Sequence, residues 1–182
     1  MWFKQKNTIS ASKVLNCAMS TLLTSDVFSQ MLALAGAEKS EDDDSIDLEE
    51  EVRLYAAYLA MNLIIVRLRQ KANAPSADAA GEAAANATTA AFYETHPQHL
   101  IDPQKFAQRL NSYLHFQKVK DQTTEESLAT RFALHVIGVN ERTNPDNINQ
   151  AELKAALQVG FQLQRMVSDI ISRVVGSSEL VL

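Results

Sequence analysis

One stretch of this 182-residue chain restricts its fold more than any other. From Val52 to Leu68, apolar side chains recur along two separate helical stripes. The first is Val52, Tyr55, Ala56, Leu59, Leu63 and Val66; the second is Leu54, Tyr58, Met61, Ile65 and Leu68. Three-to-four spacing marks a helix. A helix apolar on two sides is either surrounded by other helices, or buried on one side and used as an interface on the other. Its ends suit the helix macrodipole, with Ser45, Asp47 and Glu49 to Glu51 in the first turns and Arg67, Arg69 and Lys71 in the last. The pattern predicts a central apolar helix near 46–72.

Helical punctuation continues on both sides. Before it, Val14 and Ala18, then Phe28, Met31, Leu32 and Ala35, fall at helical spacing over roughly 10–35, with Thr24-Ser25-Asp26 placed to cap a second segment and Gly36 to stop it. After it, 73–95 is an Ala-rich connector or helix, which Ser76 would cap and Phe92-Tyr93 would anchor. Asp102-Pro103 supplies a cap and a proline at the first helical position, opening a helix to about Lys120 through Phe106, Leu110 and Tyr113. Thr123 with Glu126 has capping-box spacing ahead of Leu128, Phe132, Val136 and Val139. Asn149 with Glu152 opens a last helix that runs to about Val175 and ends at Gly176. No segment alternates with the two-residue period of a strand. The expected fold is all-α: a compact multi-helix bundle of about six or seven helices, one domain over 1–182 whose connector joins two helical halves.

Charge is uneven. Nine acids and one base lie between Glu38 and Glu51, which leaves 16 bases and 13 acids elsewhere. No basic stripe with interleaved aromatics is present, which argues against a nucleic-acid surface. The longest apolar run, Leu54 to Val66, is broken by Asn62 and is short of the about 20 residues a bilayer span needs. One cysteine, Cys17, excludes an internal disulfide framework and suits a reducing compartment. The chain reads as cytoplasmic, with no membrane partner.

Chemistry-bearing constellations are few. Glu94, His96, His99 and Asp102 are all of metal-ligand type, but Pro97 divides the histidines and Asp102 is already a cap, so a polar interhelical loop is expected and no metal. The acids at 42–47 lack the glycine of a calcium loop and read as a solvated loop leading into a dipole-matched helix start, or as a contact for a basic partner. The five glycines, at 36, 81, 138, 160 and 176, form no phosphate-cradling loop, so no cofactor is implied. His135, between Phe132 and Val139, is expected to be a buried neutral imidazole bonded to a carbonyl, and Cys17 a small core residue. Asn62, polar within an apolar run, either fixes register or bonds to a neighbouring helix. Arg165, Asp169 and Arg173 form an exposed ladder, and the tail Leu180-Val181-Leu182 docks or frays.

Three functions follow, in order. The first is a non-catalytic protein–protein interaction or regulatory module, self-associating as a homo-oligomer because a second copy would cover the extra face of the 46–72 helix. The second is a carrier or sensor of an apolar small molecule held between helices, lined by Tyr55, Tyr58, Met61, Ile65, Phe106, Tyr113, Phe132 and His135. The third is an enzyme in which His135 meets a carboxylate from another helix.

Overall fold

The computed structural model describes residues 7–23, 48–70, 76–95, 102–115, 120–138, 148–176 and 178–181. Among them are six helices: α1 (Ala11–Leu23), α2 (Leu48–Arg69), α3 (Ala77–Thr95), α4 (Pro103–Leu114), α5 (Thr124–Val136) and α6 (Gln150–Val175). Two short strands, β1 (Thr8–Ser10) and β2 (Glu179–Val181), complete the described elements. The all-α reading holds. The expected second segment at Phe28–Ala35, the acidic run at 42–47 and the His96–His99 pair lie outside the described residues.

The two strands are a small addition to the all-α fold. They pair in parallel, with Thr8 opposite Glu179, Ile9 opposite Leu180 and Ser10 opposite Val181. Three residues are too few to show an alternation in sequence, so the pairing left no periodic signal. The apolar tail docks through Leu180, which is buried.

The chain divides into two compact units, neither of them continuous in sequence. One comprises Met1–Leu23, Ala57–Pro97 and Met166–Leu182; the other comprises Thr24–Ala56 and Gln98–Arg165. In the first unit, α1 packs on α3. Val14, Leu15, Ala18 and Met19 are buried on α1, and Ala80, Ala84, Thr88, Ala91 and Phe92 on α3. The small side chains of α3 bury little area themselves but allow close approach of a neighbour. Thr88 keeps its hydroxyl satisfied by donating to the Ala84 carbonyl at 2.7 Å. Ser76 caps α3 as expected, its Oγ accepting from the Ala79 amide at 3.2 Å. Arg67 donates to Ser172 Oγ at 2.8 Å, tying α2 to the end of α6.

The second unit holds the start of α2, all of α4 and α5, and the first part of α6. Its helix starts are those the sequence marks. Asp102 Oδ1 accepts from the amides of Gln104 and Lys105. Thr123 and Glu126 cap each other reciprocally at 3.1 and 2.6 Å, and these bonds hold the Glu126 carboxyl below its usual range. Asn149 accepts from the amides of Ala151 and Glu152. Helix ends were less legible. α4 stops at Leu114 rather than near Lys120, with His115 as its cap, and α5 ends at Val136 before Gly138 at φ +68°.

The two stripes of α2 are covered within the single chain. Every residue from Leu54 to Met61 is buried, which is more than two full turns and therefore all round the helix. Only Val66, at 52% exposure, is open to solvent; Leu63 and Ile65 are half-buried. Asn62 bonds to the hydroxyl of Tyr58, one turn back on the same helix, so it acts within α2 rather than between helices.

Two glycines in helices provide a paired test. A Cβ on Gly81 would meet nothing within 4 Å, so Gly81→Ala should stabilise the protein by about 0.5–1 kcal/mol through helix propensity. A Cβ on Gly160 would stand 3.1 Å from Phe132 Cδ1 and 3.4 Å from Ala129. Both residues are fully buried, so the neighbours have little room to yield, and Gly160→Ala should instead destabilise by about 1 kcal/mol. Urea denaturation of the two variants checks the opposite signs.

Candidate functional site

Among the described residues the second unit holds a buried polar cluster, built on an aromatic floor. Tyr55 of α2 stacks on Phe132 of α5 with centroids 4.6 Å apart and meets Tyr113 of α4 at 5.2 Å. Tyr113 in turn stands edge-on to the ring of His135 at 5.4 Å. All three tyrosine and phenylalanine rings are essentially fully buried. Gln164 of α6 closes one side, its amide nitrogen donating to the Tyr55 hydroxyl at 2.7 Å and to the Glu125 carbonyl at 2.9 Å. The carbonyl can only accept, which fixes the orientation of that amide.

Above the rings runs a chain of charged and polar groups. Glu51, at 1% exposure, accepts a hydrogen bond from the Tyr113 hydroxyl and forms an ion pair with Arg109, Nε to Oε2 at 3.1 Å. Arg109 Nη1 also reaches Nδ1 of His135. The other ring nitrogen, Nε2, lies 3.1 Å from Ser112 Oγ, and the Ser112 hydroxyl donates to the Arg109 carbonyl at 2.8 Å.

Protonation follows from these partners. Burial pushes the Glu51 carboxyl up, opposed by the Arg109 charge and the Tyr113 hydroxyl. Burial, then the Glu51 charge, pushes the Tyr113 phenol well above its ordinary value. His135 is held at about 3, first by burial and then by the cations Arg109 and Arg131, and is therefore neutral at physiological pH. A guanidinium only donates, so Nδ1 must be the acceptor and the ring proton must sit on Nε2. That proton points at Ser112.

Residue composition alone would suggest a nucleophile with its base, since a serine, a histidine and a carboxylate converge here. The hydrogen bonds run the wrong way for that. A base must accept the hydroxyl proton of its nucleophile, whereas here Nε2 donates to Ser112 and the serine proton is committed to a backbone carbonyl. The chain is wired to hold three helices together.

Of the eight residues expected to share a pocket, the structure joins Phe132, Tyr55, Tyr113 and His135 in a row, each ring against the next. Phe106 is buried in the same unit; Tyr58 and Met61 are buried, and Ile65 half-buried, in the other unit. His135 is neutral as expected, but its partners are Arg109 and Ser112 rather than a carbonyl. Cys17 is exposed, not a core residue. Glu94 is exposed and takes a hydrogen bond from Asn16, while Asp102 caps α4. Among the described residues no three His, Cys, Asp or Glu side chains group to hold a metal ion, and no helix is long and apolar enough to cross a membrane.

Sequence reasoning missed Glu51, Arg109 and Ser112. Glu51 read as one more acid in a solvated helix start, yet it lies one turn before Tyr55 on the same face. Arg109 likewise stands between Phe106 and Tyr113 at helical spacing, a charge on an apolar face. No protein-family model, curated protein or solved structure matches this chain. The geometry of these residues carries the functional reading by itself.

Two consequences can be measured. Tyr113→Phe removes the hydroxyl that serves a buried carboxylate and should destabilise by about 2 kcal/mol. For His135 the folded value of about 3 lies below the ordinary 6.5, so an unfolded chain takes a proton that the native one refuses. The contribution is complete above pH 6.5 and is lost as pH falls toward 3. Glu51, raised, runs in the opposite sense. The unfolding free energy should fall by about 1–2 kcal/mol more between pH 7 and 5 in the native sequence than in His135→Gln. Equal slopes would show that the imidazole is solvated after all.

Proposed function

We propose that the chain is a non-catalytic helical interaction module of the cytoplasm that engages a basic protein partner. The observation that carries the non-catalytic half of this reading is the direction of the hydrogen bonds at His135. Ser112 Oγ accepts a hydrogen bond from the ring there instead of donating one to it. The partner half rests on charge: the acids from Glu38 to Asp47 face no comparable basic run elsewhere in the sequence, and Arg and Lys side chains are their natural complement. The cytoplasmic part rests on the single cysteine, whose exposed side chain has no second cysteine in the sequence to pair with.

Self-association was expected from the width of the apolar surface on α2. Leu54 to Met61 are already buried inside one chain, and of the two stripes only Val66 stands open, so this part of the reading has little support and is not carried into the proposal. A carrier of apolar ligands is less favoured too, because Tyr55, Tyr113 and Phe132 pack on one another.

Both halves can be tested separately. A fluorophosphonate probe should leave Ser112 unlabelled in the folded protein; stoichiometric labelling that disappears in His135→Ala would establish a working nucleophile and overturn the non-catalytic reading. Immobilised protein should retain Lys- and Arg-rich synthetic peptides in a salt-sensitive manner and ignore acidic ones. Changing Asp42, Asp43 and Asp44 together to Asn should weaken that retention about tenfold. No retention of basic peptides at low salt would sink the partner half.

A further inference from the structure

We draw no further inference here: the strongest candidate, the surface patch in the last turns of α2 where Val66 stands open to solvent beside Arg67 and Arg69, carries none because nothing in the structure shows what covers it.

Discussion

A carboxylate taken out of water must be met by a cation or by strong donors, because the cost of leaving it unmatched exceeds what most single contacts return. Glu51 is the place where this protein faces that demand. It is fully buried at the start of α2, and it is answered by Arg109 and Tyr113, both from α4. Arg109 in turn reaches His135 on α5. One buried charge thus fixes the relative register of three helices, since none can slide by a turn without stranding a polar group. Apolar packing between Tyr55, Tyr113 and Phe132 supplies area without such selectivity, as rings tolerate small displacements. The ionic chain contributes less net energy than its number of contacts suggests, and more uniqueness.

The same chain accounts for the state of His135. Its acceptor nitrogen is set by Arg109, its proton by exclusion, and its neutrality by burial beside cations. A histidine with its base nitrogen occupied by a guanidinium is a hydrogen-bond relay. Residue types that spell a hydrolytic site in a list need not do so once donors and acceptors are assigned.

Helix starts were readable in the sequence because capping is local: Ser76, Asp102, Thr123 and Asn149 each bond to amides two or three residues on. The apolar identity of α2 was equally plain from spacing. Helix ends were less so: α4 stops at Leu114, six residues before Lys120, and no glycine or proline in that stretch of sequence marks the stop. The candidate site was half legible. Its aromatics stood out by type, whereas Glu51 and Arg109 looked like ordinary surface charges, and only tertiary contact distinguishes a charge on a wet face from one folded inward. Strand pairing was invisible, being a meeting of two triplets from distant parts of the sequence.

That meeting has a kinetic side. Thr8 has no strand partner until the chain has been synthesised as far as Glu179, so the parallel clasp forms after the helices between have had time to fold. Contacts so remote in sequence are slow to nucleate and late to close. Until that point the Thr8–Ser10 segment lacks its strand partner, so the clasp seals helices that are already in place.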